Sequence, residues 1–416
     1  MTALSLLAWI VSALLLQLAV GIGVFAWRRR GGLTHLAPDL AAPTVATPPG
    51  AWSGWREFRV VRREFEDRGN TQCSFYLQPL DGAELPPFSP GQYLTFQLDV
   101  AESVSGGQGA RKTITRCYSL SDKPQSAAHR ITIKRALAPA GLNDVPPGVS
   151  SSYFHDHVHE GDVLKVKAPS GHFFLDANSR APVVLVGGGI GITPMMSMLR
   201  WCLAEQPGRT VHLYYGVRHS GEHAFKTDLE QLAQAHSDFH LNVVYSRPGP
   251  VDVQGKDYQH DGYVDVELLR RTLPHGPHQF YVCGPAAMME SLVPALIQWG
   301  VPREDVHYEA FGPASVRLEP TTLTQAKPNP AATMEVRFDR SGRTLVWDGQ
   351  AANLLDFAER HGVLIDAGCR SGSCGSCETP LLAGTVHYLH KPDHDVAPGH
   401  CLLCVGTPTS ALTLKA

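Results

Sequence analysis

Four cysteines near the carboxyl end of the chain have the spacing of an iron-sulfur site. They are Cys369, Cys374, Cys377 and Cys404. The residues between the first three are mostly small, so a loop can wrap closely around a cluster and turn backbone N–H groups toward its sulfurs. A zinc site would more often show two paired Cys-x-x-Cys units, and four reduced thiols without a metal are the other alternative. The spacing therefore predicts a [2Fe-2S] cluster, which carries one electron at a time.

The region around these cysteines, residues 334–416, resembles the plant-type ferredoxins. Ahead of the cysteine loop the sequence predicts a hairpin and then a helix, at 334–338, 344–347 and 353–361. This is the order of elements in the beta-grasp fold of ferredoxins. Cys401 competes with Cys404 for the fourth ligand position, but the family has an apolar strand before the ligand and a proline four residues after it, here Pro408. The resemblance therefore favours Cys404.

Short runs of alternating apolar and polar residues, separated by Gly, Pro and Asp, follow one another between residues 52 and 178. They lie at 58–65, 72–77, 93–98 and 131–135. Many short strands at this spacing predict an antiparallel barrel. Within it, residues 116–119 read Arg-Cys-Tyr-Ser, which resembles the flavin-binding Arg-x-Tyr-Ser box of the ferredoxin-NADP reductase superfamily.

The resemblance implies a role for each residue of that box. Arg116 would pair with a flavin phosphate, and Tyr118 would stack on the isoalloxazine ring and hydrogen-bond the ribityl chain. Ser119 would hydrogen-bond near the reactive N5 atom of the flavin. Ser119 is for that reason also a candidate catalytic residue.

A second segment of the predicted barrel, residues 147–156, resembles the other flavin segment of the superfamily. There a Gly-rich turn, here at Gly148, opens a short helix whose N–H groups receive the pyrophosphate, and Ser151 or Ser150 would be the contact. The likeness to the reductase part of flavohaemoglobins, which bind FAD, favours FAD over FMN. Phthalate dioxygenase reductase and its relatives share the domain order with FMN, so FMN is the alternative.

A strand, a glycine loop and a helix follow one another at residues 182–204. The apolar run 182–186 leads into Gly-Gly-Gly-Ile-Gly-Ile-Thr-Pro and then into an amphipathic stretch. Glycines let the backbone approach a pyrophosphate at a helix N-terminus, and proline suits the first helical turn. The string is not the usual Gly-x-Gly-x-x-Gly and is similar to the nicotinamide loop of the same superfamily. Its candidate cofactor-binding residues are Gly188, Gly189, Gly191, Thr193 and Pro194.

Strands and helices alternate from there to residue 313 and predict a doubly wound parallel sheet of the alpha/beta class. One predicted strand, 279–283, runs into Cys283-Gly284-Pro285. This resembles the Cys-Gly-Pro motif of the superfamily, in which the cysteine lies beside the nicotinamide and the turn makes room for the cofactor. A plain buried thiol is the alternative role for Cys283.

The remaining candidates of this domain lie at strand ends. Glu309 and Phe311, on a strand that the superfamily aims at the flavin edge, would line the isoalloxazine face, although strand-end packing is an alternative role. Arg218 could meet the adenosine ribose or a 2′-phosphate, and so could Arg247. With only these two arginines and no Lys/Tyr pair, NADH is favoured over NADPH. The candidate catalytic residues are Ser119, Cys283 and Glu309.

Three alternating histidines, His155, His157 and His159, are a possible metal site. The helix expected here places the first two on different sides and leaves only an i,i+4 pair without a third ligand. We therefore expect the three histidines to be solvated or to cap the helix.

Residues 3–27 contain no charge and are long enough to cross a hydrocarbon core of about 30 Å as a helix. Three arginines follow at 28–30, whereas a secretory signal peptide carries its positive charge in front of the apolar run. Charge on that flank predicts a cytoplasmic carboxy-terminal side. The interpretation is a single-pass anchor in the inner or plasma membrane with cytoplasmic catalytic domains; a buried or cleaved segment is the alternative.

Composition is that of a globular protein with about three domains: 416 residues, 43% hydrophobic, 18% charged, and a formal net charge of -3. The sequence contains no basic stripe with interleaved aromatics, so it does not predict binding to nucleic acid. The five cysteines other than the four predicted ligands form no paired framework, which favours a reducing compartment. The predicted divisions are an anchor (1–30), a tether (31–51), a flavin-binding barrel (52–178), a nicotinamide-binding domain (179–313), a linker (314–333) and a ferredoxin-like domain (334–416).

The combined resemblance covers residues 55–416 and implies an NAD(P)H-dependent oxidoreductase. NAD(P)H would give a hydride to FAD, and the [2Fe-2S] cluster would pass single electrons to an acceptor protein. The expected acceptor is an oxygenase, hydroxylase or desaturase. The alternatives are a hybrid-cluster or other soluble redox protein, and a redox sensor without turnover. Arg370 and Ser373 are expected to form an exposed docking edge for the acceptor.

Overall fold

The computed structural model describes residues 51–101, 111–137, 147–311, 334–365, 367–370, 372, 374–388, 392, 394 and 396–416. The predicted anchor and the linker at 314–333 lie outside these residues, as does the tether except for Ala51. Within the described ranges, no helix combines the length and the apolar character needed to span a membrane.

Six antiparallel strands form the first sheet. They are β1 (Arg56–Phe65), β2 (Gln72–Pro79), β3 (Tyr93–Ala101), β4 (Arg111–Ser119), β5 (His129–Lys134) and β6 (Val163–Ser170). Their order is β4-β3-β6-β1-β2-β5, and a bridge from Leu120 to Ile131 joins the end of β4 to β5, so the sheet closes into the predicted barrel. Helix α1 (Val149–His157) packs on the barrel through Phe154, whose ring meets those of Phe75 and Phe96 edge-on.

The second sheet is parallel and has helices on both faces. Its strands are β7 (Val183–Gly188), β8 (Val211–Val217), β9 (Phe239–Tyr245), β10 (His260–Asp261), β11 (Gln279–Gly284) and β12 (Val306–Ala310), and its helices are α2 (Ile192–Glu205), α3 (Lys226–Ala235), α4 (Val266–Thr272) and α5 (Ala286–Trp299). The strand order is β10-β9-β8-β7-β11-β12. From β7 the chain adds strands first on one side, up to β10, and then on the other side, beginning with β11, so the switch point lies between β7 and β11. Ligands of doubly wound sheets bind at such a switch point, beyond the carboxyl ends of the strands.

The third sheet belongs to the ferredoxin-like domain. The elements are β13 (Met334–Phe338), β14 (Arg343–Trp347), α6 (Leu354–Arg360), β15 (Glu378–Ala383), β16 (Val386–Tyr388), β17 (His400–Leu402), β18 (Gly406–Pro408) and β19 (Leu412–Leu414). Five strands pair in the order β14-β13-β19-β15-β17, and β16 pairs with β18. The side chain of Asn353 caps α6 by accepting from the N–H of Asp356 at 2.8 Å. The cysteine loop runs between α6 and β15.

The barrel and the domain of the parallel sheet are joined by hydrogen bonds. The N–H of Gly69 donates to the carbonyl of Gly221 at 2.9 Å, and the N–H of Phe225 donates to the carbonyl of Glu66 at 3.1 Å. On α2, the hydroxyl of Ser197 donates to the carbonyl of Asp122 at 2.8 Å. These bonds hold the glycine loop in a defined position relative to the strand that carries the Arg-Cys-Tyr-Ser box.

Candidate functional site

A cavity of about 670 Å³ lies where the three sheets meet. Predicted site residues from all three domains line it: Arg116, Tyr118, Ser119, Gly148, Ser150, Ser151, Thr193, Glu309, Phe311 and Cys369. Residues that lie far apart in the sequence therefore line the same cavity. Its volume lies in the range of small-molecule and cofactor pockets.

On β4, Tyr118 and Arg116 face this cavity. The Tyr118 hydroxyl lies 2.7 Å from the hydroxyl of Ser150, and burial raises the pKa of Tyr118 to about 12, so the phenol stays neutral at physiological pH. The Arg116 guanidinium donates from Nη1 to the carbonyl of Ala367 at 3.2 Å. The arginine predicted to pair with a flavin phosphate thus also contacts the ferredoxin-like domain.

The first turn of α1 opens onto the cavity at Gly148. A Cβ at this position would lie 2.7 Å from the Cβ of Ala136, so only glycine fits. The Ser151 hydroxyl donates to the carbonyl of Gly148 at 3.0 Å and accepts from the N–H of Ala136 at 3.1 Å, whereas Ser150 pairs with Tyr118. This arrangement fits a pyrophosphate at the helix N-terminus, as the sequence predicts.

The glycine loop and the Cys-Gly-Pro turn pack backbone against backbone at the switch point. A Cβ on Gly191 would lie 2.2 Å from the carbonyl oxygen of Cys283, and one on Gly188 would lie 2.9 Å from Cδ of Pro285. A Cβ on Gly284 would meet Cε of Met288 at 2.4 Å. Gly191 is required because the neighbouring backbone leaves no space for a Cβ, whereas at Gly188 and Gly284 the nearest atoms belong to the side chains of Met288 and Pro285.

A single turn of 3-10 helix, Gly189–Gly191, connects β7 to α2. Gly189 has a φ of 54°, a left-handed backbone conformation that favours glycine. An added Cβ would have no atom of the described residues within 4 Å, so steric crowding is not the reason for glycine there. The Thr193 hydroxyl donates to the carbonyl of Ile190 at 3.0 Å, and Pro194 lies buried in the first turn of α2. Together they hold the loop in shape.

Cys283 and Glu309 are neighbours on β11 and β12. Burial raises the pKa of the Cys283 thiol well above its usual value, so the group is a neutral thiol at physiological pH. Burial, and in second place the charge of Cys369, raises the pKa of Glu309 to about 8. Of the two, Glu309 lines the cavity, and its Oε2 has no hydrogen-bond partner in the described part of the chain. Glu309 can therefore hold a proton at the edge of the cavity.

Glu309→Gln is expected to change how stability depends on pH. The carboxyl ionises near 4.5 in the unfolded chain and near 8 in the folded protein. Between these values the folded state binds more protons, so the free energy of unfolding falls by up to about 1.4 kcal/mol per pH unit as pH rises. Glutamine cannot titrate, so the variant should lose this decline in denaturant titrations at several pH values. A curve parallel to that of the exposed control Glu304→Gln would contradict the prediction.

Arg218 lies at the end of β8 and is engaged by a carboxylate. Its guanidinium forms an ion pair with Glu222, and Lys134 of the barrel contacts the same carboxylate at 3.1 Å. Burial alone would raise the pKa of Glu222, but the hydrogen bond from Arg218 and the charge of Lys134 hold it below its usual value. The main-chain N–H of Arg247 donates to the carbonyl of Arg218 at 2.8 Å, which places the two predicted arginines side by side.

The cysteine loop brings the four predicted ligands together. The N–H of Cys369 donates to Sγ of Cys374 at 3.2 Å, the N–H of Cys374 donates to Sγ of Cys369 at 3.3 Å, and the N–H of Cys404 donates to Sγ of Cys377 at 3.4 Å. The thiol of Cys404 also contacts those of Cys369 and Cys377. Converging sulfurs that accept backbone N–H groups fit a [2Fe-2S] cluster.

Cys401 lies in a different environment. It sits on β17 opposite Thr379, within the core of the domain, and burial raises its pKa to about 12. Its neutral thiol is held by packing, whereas Cys404 reaches the other sulfurs. The geometry supports Cys404 as the fourth ligand.

Two expectations about exposed residues are wrong. Arg370 is half-buried instead of exposed: its side chain pairs with Glu359 and Asp356 of α6, and it lines the cavity. His155 is not solvated: it is buried, and its Nε2 lies 2.9 Å from the carbonyl of Ile133. Ser373 lies outside the described residues.

One contact of the site escapes sequence reasoning. Cys117, the variable residue of the Arg-Cys-Tyr-Ser box, meets the thiol of the predicted ligand Cys374. Between them is Gly368, where a Cβ would lie 2.9 Å from Sγ of Cys374 and 3.3 Å from Sγ of Cys117. Successive side chains of a strand point to opposite faces, so Cys117 points away from the face that Arg116 and Tyr118 share. This alternation was the one sign in the sequence that Cys117 could contact something other than the flavin.

Family models match two parts of the chain. An oxidoreductase NAD-binding domain matches residues 185–293, and a 2Fe-2S iron-sulfur cluster binding domain matches residues 336–409. The flavohemoprotein of Halalkalibacterium halodurans is 39% identical over 266 residues, which are 64% of this chain. The chain spans 62% of the length of that relative.

Two solved structures extend the comparison. The FAD/NAD-binding domain of nitric oxide dioxygenase from Vibrio cholerae O1 biovar El Tor is 30% identical, with a TM-score of 0.52 over 62% of this chain and 99% of that one. Phthalate dioxygenase reductase, described as a modular structure for electron transfer from pyridine nucleotides to [2Fe-2S], is 30% identical, with a TM-score of 0.50 over 87% of this chain and 98% of that one. The chain therefore belongs to the ferredoxin-NADP reductase superfamily, as an NAD(P)H-dependent oxidoreductase that joins FAD- and nicotinamide-binding domains to a carboxy-terminal [2Fe-2S] domain.

Proposed function

We propose that this protein takes electrons from NADH and delivers them singly to an acceptor protein of the oxygenase, hydroxylase or desaturase kind. When bound, FAD accepts two electrons together from a nicotinamide, and the [2Fe-2S] cluster carries one at a time. The observation that carries the proposal is the shared cavity, in which Ser119, Thr193 and Cys369 represent the three domains. The similarity to phthalate dioxygenase reductase supports an oxygenase as the acceptor.

The residues of the chain contribute mainly by positioning. Close packing of Gly191 on Cys283 sets the nicotinamide loop at the switch point, and the neutral phenol of Tyr118 offers a hydrogen bond beside the flavin strand. Glu309, whose Oε2 atom is buried, holds a proton at the edge of the cavity. Electron transfer of this kind requires no acid-base dyad, so orientation is the main task of the protein.

The ion pair between Arg218 and Glu222 supports NADH as the donor. A 2′-phosphate would have to displace a carboxylate that Lys134 also holds. The charge of Arg218 is thus already compensated within the protein.

We further propose that residues 1–30 anchor the protein in the inner or plasma membrane, with the catalytic domains in the cytoplasm. The support is the uncharged run 3–27 followed by three arginines. An anchor would confine the protein and a membrane-bound acceptor to the same surface. Capture of partners from membranes under reducing conditions, followed by NADH, should yield a protein that becomes reduced.

Anaerobic titration with NADH tests the donor and the electron count. FAD takes two electrons and the cluster one, so full bleaching should require about 1.5 equivalents of NADH per protein. Oxidised cytochrome c should then restore both absorption bands. NADPH serves as the comparison and should act more slowly. If neither nucleotide bleached the protein, the proposal would be contradicted.

A further inference from the structure

Among the residues that the structure describes, Cys117 is the one barrel residue whose thiol touches the thiol of a predicted cluster ligand. The sulfurs of Cys117 and Cys374 both flank Gly368, where an added Cβ would lie 3.3 Å from the first and 2.9 Å from the second. Sγ of Cys117 also lies 3.4 Å from Oγ1 of Thr95. When the Cys117 S–H points at Cys374, the Thr95 hydroxyl can donate to Cys117. The barrel thus presents an oriented donor, Thr95 to Cys117 to Cys374, to the ferredoxin-like domain.

Three of the donors around the sulfur of Cys374 differ in where they are attached. The N–H of Cys369 at 3.2 Å and the hydroxyl of Ser376 at 3.1 Å belong to the same domain as Cys374. Of the three, Cys117 alone belongs to the barrel. The first two contacts therefore accompany the cluster loop wherever the domain goes, whereas the third exists only while the loop rests against β4.

Hydrogen bonds to the sulfurs of a cluster affect its two redox states unequally. Reduction adds one negative charge, and donors aimed at the ligand sulfurs stabilise the more negative state. Each such donor therefore raises the reduction potential. No proton has to leave Cys117 for this effect, so one electron passes without a coupled proton transfer.

We propose that Cys117 is a positioning residue that raises the reduction potential of the [2Fe-2S] cluster only in the docked arrangement. Against the barrel, the cluster accepts an electron more readily. Away from the barrel it loses the Cys117 hydrogen bond and becomes a stronger reductant toward the acceptor. The inference rests on the proposed delivery to an acceptor protein, but the effect on the potential is measured without an acceptor and can therefore fail independently.

Potentiometric titration of the holoprotein, followed by electron paramagnetic resonance, tests the inference. Cys117→Ala should weaken the electron affinity of the cluster about tenfold, a fall of about 59 mV in midpoint potential for one electron. Cys117→Ser keeps a donor and should recover most of that difference. The matched control Cys202→Ala removes a buried thiol in the nicotinamide domain and should leave the potential unchanged.

A double-mutant cycle separates the hydrogen bond from a structural effect. Gly368→Ala places a Cβ against both sulfurs and should force Cys117 and Cys374 apart. In that background, Cys117→Ala should cause no further shift. On the native protein, exchange into D2O should shift the Fe–S stretching bands in resonance Raman spectra, and Cys117→Ala should diminish that shift. Equal potentials for the native protein and Cys117→Ala, or equal shifts for the Ala and Ser variants, would overturn the inference.

Discussion

Replacing Cys404 by alanine is expected to abolish binding of the [2Fe-2S] cluster, and the same replacement at Cys401 is expected to preserve it. Cys404 contacts the thiols of Cys369 and Cys377, so its loss removes one of the two cysteine ligands of one iron. Cys401 lies in the apolar core, where removal of a sulfur only opens a small cavity. The two positions lie close together in the sequence, so they form a matched pair.

Iron and acid-labile sulfide per protein, together with visible circular dichroism, measure the outcome directly. NADH-driven reduction of cytochrome c should fall to background in Cys404→Ala. Reduction of ferricyanide, which can take electrons from the flavin, should persist. If Cys401→Ala lost its iron and Cys404→Ala kept it, the ligand assignment would have to be exchanged.

Gly191→Ala is expected to lower kcat/KM for NADH by about 100-fold or more, because misplacement by about 1 Å already has an effect of that size. The new Cβ would lie 2.2 Å from the carbonyl oxygen of Cys283 and 2.9 Å from the nitrogen of Gly284, and both atoms are backbone. Gly191 has a φ of −60°, so alanine is excluded by space and not by conformation. The glycine loop must therefore move away from β11.

Gly216→Ala is the control for this substitution. Gly216 lies at the same end of the neighbouring strand β8, and its Cβ would make an ordinary contact of 3.4 Å with Val264. Stopped-flow reduction of the bound flavin by NADH, with the flavin content of each variant, distinguishes slow transfer from a loss of folding. Native rates in Gly191→Ala would show that the loop tolerates displacement.

Local patterns in the sequence predict much of this molecule. The strands of the barrel and of the parallel sheet follow from short alternating or continuous apolar runs, and the glycines follow from turns that leave no room for side chains. The spacing of Cys369 and Cys374 sets the shape of one loop. Such features depend on residues that are close in sequence, so the pattern contains the information.

Contacts between domains could not be predicted in the same way. Arg116 and Ala367 are 251 residues apart, and no local pattern records that they meet. Arg370 has the sequence context of an exposed loop residue, but its partners, Glu359 and Asp356, lie on a preceding helix whose orientation depends on packing. The expectation for His155 is wrong for the same reason, since its partner Ile133 lies on another element.

Gly368 allows the barrel and the cluster loop to approach each other closely, and this distance matters for electron tunnelling. The rate of tunnelling falls exponentially with the separation between donor and acceptor. The missing side chain at Gly368 lets Cys117 and Cys374 meet, because any Cβ would press on both sulfurs. A single methyl group at this position would lengthen the gap that an electron has to cross, even if every cofactor-binding residue were unchanged. We therefore expect Gly368→Ala to slow electron transfer from the flavin to the cluster.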